Sequence, residues 1–593
     1  MNQYIYIIII ILLLIFLFIL ILQFHKNKII KLDTKEADIV IIGGGTAGCI
    51  LARRLNETLP NHKIILLERG QDFHNNPIVY NIANAGIAAY TNPFSEVLKA
   101  DNPNVLISIG TMYGGGSSHN YALVVHGSPE YYNNVWKKQL GLSYSDIIPY
   151  IKKVETYIGT TQNRKVRGDD GKLQVYQLPI NIKLLNKIIP FIKNEFSKGF
   201  LSGLNTLNKT IDTVKNIGPL RASDDFSKNM VNIISQLKSI SIVEDYNANI
   251  INCASINPQL FVDNITGLRS STDVTYLNSS YINKDNFGNG IRNNLQIVAN
   301  ATVNKFNNKE IEWIDKDGKL NITKLSQNGH IILCAGAVYS PYLLLKSGFK
   351  NNNIGKNLRT HYGCTMIVSV NSDKNEDFNF SSGPVAFVPK NTNNTAKRDW
   401  QIICGGSALL NKKLLNNVGI DHDLEQKNNP NLRYFVFLLW IMDPKTRGLI
   451  SIDPKNNNMP KIELKLFEDG DLKNPNSDLS NIVDGLKFLY SIVQNMNKIY
   501  PSLRSIYPPE TVFRENNINI LANYVKDGIS LTDHYSGTCG FNDVVNPNDF
   551  SIYGSSNIHV VDASILSLPD GNTEFPVCVL AEIAADRITK NIK

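Results

Sequence analysis

The run Glu36-Ala-Asp-Ile-Val-Ile-Ile42, followed at once by Gly43-Gly44-Gly45-Thr46-Ala47-Gly48, decides the fold of this chain. The β-branched residues before Gly43 read as a short strand. Cys49 to Leu59 has a helical pattern that stops at Pro60, and a second strand, Lys63 to Leu67, ends on Glu68. Strand, Gly-x-Gly-x-x-Gly, helix, strand, acid is the order of a dinucleotide-binding βαβ unit, in which the glycines allow a tight turn and a close approach of backbone to pyrophosphate. The helix N-terminus then faces the phosphates. Gly43, Gly45, Thr46, Ala47 and Gly48 are therefore candidate cofactor contacts, and Glu68 is expected to accept hydrogen bonds from an adenosine ribose. A glycine triplet alone is weak evidence; the flanking strands and helix make it specific. The unit does not by itself distinguish FAD from NAD.

Working outward, the 593 residues are 43% hydrophobic and 19% charged, the composition of a globular protein with two domains or one core and a second lobe. The net charge of +8 is spread along the chain with no basic run outside the N-terminal flank, so a nucleic-acid partner is not expected. The seven cysteines form no CxxC pair, and neither a disulfide framework nor a metal site is readable from them. Cys539 reads as a small buried side chain.

Upstream of the nucleotide unit, Tyr4 to Phe24 carries no charge and approaches the ~20 apolar residues that cross a bilayer as a helix. A cleaved signal peptide is the competing reading, but the charged start and the small-x-small cleavage site are missing. Lys26, Lys28 and Lys31 follow directly, so the positive-inside rule predicts a single-pass membrane protein with its body in the cytosol.

Further along stand Gly110-Thr-Met-Tyr-Gly114-Gly115-Gly116-Ser117-Ser118-His119-Asn120 and Val125-His-Gly-Ser-Pro-Glu-Tyr131, then Gly267-Leu-Arg269-Ser-Ser. After these come Ala335-Gly336-Ala337, Ile354-Gly355-Lys-Asn357-Leu358-Arg-Thr-His361 and Arg447-Gly448. The series closes with His534-Tyr-Ser-Gly537-Thr-Cys539, Val561-Asp562-Ala563-Ser564 and Asp570-Gly571-Asn572-Thr573-Glu574-Phe575-Pro576. In this order the segments resemble the glucose-methanol-choline (GMC) oxidoreductases, flavoenzymes that oxidise alcohols. Thr360 departs from the acid usual at its position. The resemblance implies FAD as cofactor, with Gly115, Ser117, His119 and Asn120 on the flavin side, Val303 on the adenine side, and Asp562 and Ala563 near the ribityl or pyrophosphate. If Gly114 and Gly115 take the two glycine positions, the loop resembles the choline-oxidising branch, and His119 falls where that branch bonds its flavin covalently; a loop histidine beside a dissociable flavin is the other reading.

Removing a hydroxyl proton while hydride leaves carbon needs a largely neutral base near pH 7 and a group to hold the oxygen. The resemblance assigns these roles to His534 and Asn572, the amide leaving His534 as the single base. Pro576 is expected to open an Ala-rich helix over Val577 to Ile588 and to aim its N-terminal partial charge at the flavin. The implied architecture is mixed α/β. A Rossmann-like FAD-binding domain spans 36–359, with substrate-domain segments near 145–235; an antiparallel, helix-flanked substrate domain spans 360–522, and 523–593 returns to the FAD domain behind the membrane anchor at 4–24. Tyr434, Phe435, Phe437 and Trp440 either line a pocket or form core, and the Asn-rich passages 391–394 and 455–458 read as surface loops. A small-molecule alcohol, with O2 or another electron acceptor, completes the expected set of partners. An acceptor-dependent dehydrogenase and an inactive structural relative of the same fold are the alternatives.

Overall fold

A computed structural model describes residues 34–592 apart from 104, 178–224, 265, 279–282, 285–289, 293, 372–382, 394, 406–426 and 430. The expected membrane segment at 4–24 and much of 145–235 lie outside the described residues. Among the described residues no helix is long and apolar enough to cross a membrane.

The chain opens with β1 (Glu36–Ile42), α1 (Thr46–Thr58) and β2 (Ile64–Leu67). It returns to this layer as β3 (Leu295–Val298), β4 (Thr302–Phe306), β5 (Glu310–Ile314) and the long β6 (Leu320–Leu333), and α2 (Gly336–Lys346) then leads towards a second lobe. That lobe contains β7 (Tyr362–Asn371), β8 (Val385–Val388), β9 (Trp400–Gly405), β10 (Leu432–Ile441), the helix α3 (Asp478–Asn497) and β11 (Ile529–Leu531). The chain finishes in the first lobe with β12 (Ile558–Val560) and α4 (Glu574–Ile592).

The centre of the first sheet is parallel, in the order β3-β2-β1-β6-β12, with Ile39 opposite both Ile64 and His330 and with Ile331 opposite Ile558. Parallel strands covered on both faces need apolar residues at every position, and β2 and β3 are buried throughout. On one face α4 packs against α1. Their contact is fixed by Arg54, whose Nε and Nη2 both donate to the buried carboxylate of Glu582 at 2.8–2.9 Å, while Tyr276 donates to the same Oε1 at 2.9 Å. Such a forked guanidinium pair is more directional than a point charge.

The second sheet is built from antiparallel neighbours β7-β10-β9-β8, and the other edge of β7 is shared by β11, at Tyr362–Cys364, and the strand Arg504–Tyr507, at Ile367–Ser369. Strand alternation divides β10 between two environments. Phe435, Phe437, Leu439 and Ile441 join Leu479, Ile482, Leu486 and Leu489 of α3 in one core, whereas Val436, Leu438 and Trp440 turn to the opposite face. Gly485 lets α3 approach, since a Cβ there would stand 2.6 Å from Leu439.

Two local expectations are corrected. The Asn-rich passage 455–458 is a hairpin turn that opens the strand Asn456–Glu463, pairing Asn456 with Asp453. The last helix begins at Glu574, not Pro576; the proline still sits in the first turn, where its missing N–H removes no helical hydrogen bond.

Candidate active site

Between the lobes lies one cavity of about 910 Å³, at the large end for small-molecule sites. Gly43, Gly45, Thr46, Ala47 and Glu68 line its first-lobe end with Val303, Asp562 and Ala563. His119, Asn120, His534, Asn572 and Glu574 share its wall with Val436, Leu438 and Trp440 of the second lobe.

The glycine loop is held by contacts that a side chain would prevent. Gly43 has φ +101, and a Cβ there would meet the Cys334 carbonyl oxygen at 2.6 Å. Gly45 forms a parallel bridge with Gly114, and Gly115, at φ +51, lies so close that its Cβ would stand 2.9 Å from Gly45 Cα. These two loops, distant in sequence, form one bare backbone cradle, which is the surface a pyrophosphate needs. Glu68 fixes the rim by accepting from Gly44 N and Gly70 N, both at 2.7 Å. Burial pushes its carboxyl above the ordinary value and the two N–H groups oppose this. Each carboxylate oxygen keeps accepting capacity for a ribose hydroxyl.

Three expected contacts do not line the cavity. Gly48 is a packing position, because a Cβ there would lie 2.0 Å from the Gly43 oxygen. Ser117 is buried and braces the loop through Gly114 O at 2.8 Å and Thr272 Oγ1 at 2.9 Å. Pro576 is buried in α4. Asp562 reaches the cavity edge, but its carboxylate accepts from Gly336 N at 2.9 Å, Ser340 Oγ at 2.5 Å and Ser564 N at 2.8 Å, so it ties α2 to the turn after β12.

His119 lies against the cavity with Nδ1 3.3 Å from the Gly116 oxygen, and burial lowers its pKa to about 4, so the ring is neutral at pH 7. Asn120 is oriented by its neighbours: Oδ1 accepts from Ala122 N and Arg269 Nη1, both at 2.8 Å, which turns Nδ2 towards Glu574 Oε2.

The two residues expected to carry the chemistry are both half-buried in the cavity wall. Asn572 Oδ1 accepts from Gln401 Nε2 at 3.2 Å and its Nδ2 donates to Leu123 O at 3.3 Å, leaving the second N–H of the amide. His534 N donates to Thr360 Oγ1 at 3.2 Å, so the residue that departs from the family pattern anchors the histidine backbone. His534 Nδ1 stands 2.9 Å from Nδ1 of the fully buried His361. Burial, then the neighbouring His361, holds the His534 ring well below its usual pKa; burial alone brings His361 to about 4. Two neutral imidazoles joined through Nδ1 share one proton, so their tautomers are linked.

The sequence reading assigned no role to His361, Arg269 or Glu574, although each stands in a quoted motif. Their partners are distant in sequence, and no local pattern announces them.

The chain matches the GMC oxidoreductase family over residues 37–363 and again over 444–581. It belongs to that family. GMC oxidoreductases are FAD-dependent, and the glycine cradle, the buried acid at its rim and the cavity of about 910 Å³ they share fit that cofactor. The alcohol dehydrogenase (acceptor) of Pseudomonas putida is 23% identical over 94% of this chain and 96% of its own length. A chain of Acanthamoeba polyphaga mimivirus, described as truncated and inactive, is 25% identical over 59% of this chain and 82% of its own. The crystal structure of pyridoxine 4-oxidase from Mesorbium loti superposes with a TM-score of 0.69 at 18% identity, covering 93% of this chain and 98% of that one, a likeness of fold.

Proposed function

We propose that this GMC oxidoreductase oxidises the CH–OH group of a small alcohol, with His534 as base and Asn572 as the group that holds the oxygen. The observation that supports this best is the contact of His534 with His361. A neutral imidazole carries one N–H. If His534 donates Nδ1–H to His361 Nδ1, its Nε2 lone pair is left for a substrate hydroxyl. His361 then carries its own N–H at Nε2, a buried nitrogen with no partner among the described residues. FAD, when bound, supplies the hydride acceptor.

His534 takes the hydroxyl proton, and the free N–H of Asn572 stabilises the negative charge that builds on the oxygen. Asn572 can donate but cannot take the proton, so His534 acts alone as base. Glu68 and the Gly43–Gly48 turn hold the nucleotide, while Val436, Leu438 and Trp440 exclude water over the reacting carbon. The electron acceptor is O2 or another oxidant. The apolar run at 4–24 supports tethering of this body to a membrane, a reading that rests on sequence alone.

The test is anaerobic addition of an alcohol panel to the purified yellow protein, followed at the flavin absorbance. Bleaching by at least one alcohol is expected, and colour without bleaching by any would overturn the reading in favour of an inert relative. Acid precipitation of the same sample tests attachment at His119: yellow in the pellet of wild type, lost to the supernatant in His119→Ala, is the expected pattern for a covalent bond.

A further inference from the structure

Glu574 is the first residue of α4 and lines the cavity beside Asn120 and Asn572. Its Oε2 accepts from Asn120 Nδ2, while Oε1 is sealed from water and has no partner among the described residues. A buried carboxylate is usually satisfied by several donors or by a direct cation. Here one neutral amide serves it. The nearest cation, Arg269, is fully buried and acts through that amide, donating to Asn120 Oδ1 at 2.8 Å and to Asn120 O at 2.6 Å. The result is a line of guanidinium, amide and carboxyl that ends in the lining of the cavity that also carries His534 and Asn572.

We propose that Glu574 takes up one proton from solvent when the cofactor is reduced, so that reduction of the bound flavin is coupled to two protons and not one. The proposal rests on the cofactor reading above. Two electrons and one proton reach the ring as hydride and leave it with a net negative charge. A second negative charge at Glu574 would then be held in the same low-dielectric wall, and protonation of the carboxylate removes it. The charged and titratable groups around Glu574 are Arg269 across Asn120, the neutral His119 on the same loop, Asp273 beyond Arg269, and Cys578 and Glu582 on the next turns of α4. Arg269 and the Asn120 amide favour the anion; burial outweighs them and brings the carboxyl up to about 7 before any reduction. The uptake therefore occurs above pH 7, where the carboxyl is ionised beside oxidised cofactor.

The holoenzyme is titrated with dithionite and redox dyes, without alcohol, at several pH values above 7. Wild type is expected to show a potential whose pH slope corresponds to two protons per two electrons, and Glu574→Gln a slope of one. A one-proton slope in wild type overturns the proposal. So does a two-proton slope in E574Q, which would assign the uptake to another group such as His534. If E574Q does not retain FAD, the reduced-minus-oxidised infrared spectrum of wild type decides: a protonated-carboxyl band that appears on reduction and shifts in D2O is expected, and its absence overturns the idea. A wild-type chain that takes up no FAD overturns the cofactor reading itself, which separates the two failures.

Discussion

His361 and His534 meet through their Nδ1 atoms at 2.9 Å with ring planes 88° apart, and the inner ring is sealed from solvent while the outer one faces the cavity. One proton lies between the two nitrogens, so the tautomer of the inner ring is linked to that of the outer one.

Replacing His534 by Ala removes the base and is expected to slow anaerobic flavin reduction by about 10²–10⁴. His361→Phe keeps the base but removes the acceptor for its Nδ1–H. Losing such a buried hydrogen bond costs about 1–3 kcal/mol, so stopped-flow reduction should slow by about five- to 150-fold. A His361→Phe enzyme as fast as wild type would disprove the tautomer argument.

The pH profile follows from the direction of the histidine shifts. His534 works when neutral and its folded pKa is depressed, so loss of the base by protonation should slow flavin reduction only well below 6.5. The same depression bears on stability. Between about 6.5 and 4 the unfolded chain binds protons that folded His119 and His361 do not, so stability is fully present above 6.5 and is lost as pH falls towards 4. The raised carboxyls of Glu574 and Asp533 act in the opposite sense over the same window, so the histidine contribution is read as a difference: His361→Phe should lose less melting temperature than wild type between pH 7 and 4.5, and an equal loss in both would contradict it.

Gly115→Ala places a Cβ in the left-handed region and against Gly45. Strain of this kind costs of the order of 1–3 kcal/mol, concentrated where the cofactor backbone must lie. The variant should lose FAD on desalting while Gly141→Ala, also at positive φ but with open space around it, retains the flavin. Equal flavin retention by both would remove the cradle argument.

On β10, Phe437→Ala and Trp440→Ala should behave differently. Phe437 is fully buried against α3, and its truncation is expected to cost about 3–5 kcal/mol, seen in denaturant melts, with substrate preference unchanged. Trp440 faces the cavity, so its truncation should raise kcat/KM for bulky alcohols relative to small ones. A shared phenotype would mean that the strand is not divided in this way.

How much of this was legible follows from how far each residue reaches. The strand, glycine turn, helix and acid at 36–68 are local chemistry, and the structure reproduces them as β1, α1 and β2 within a few residues. Strand alternation in β10 was visible too, but not which face met the cavity; the aromatic residues are divided, Phe435 and Phe437 to core and Trp440 to the cavity. Residues defined by a remote partner were not readable. His361 acquires its position from a contact 173 residues away, and Glu574 from one 454 residues away. Ser117 illustrates the converse, standing in the right motif but facing Thr272 and not the cavity.

The pairing of β12 with β6 and of α4 with α1 has a consequence for biosynthesis. The nucleotide turn is among the first folded segments to leave the ribosome, yet the sheet beside it lacks an edge and its helix lacks a neighbour until residues 558–592 follow. Enclosure of a cofactor must therefore await the synthesis of these residues. A protein shortened within them should fail to retain flavin, because the helix that carries Glu574 and covers α1 would be missing.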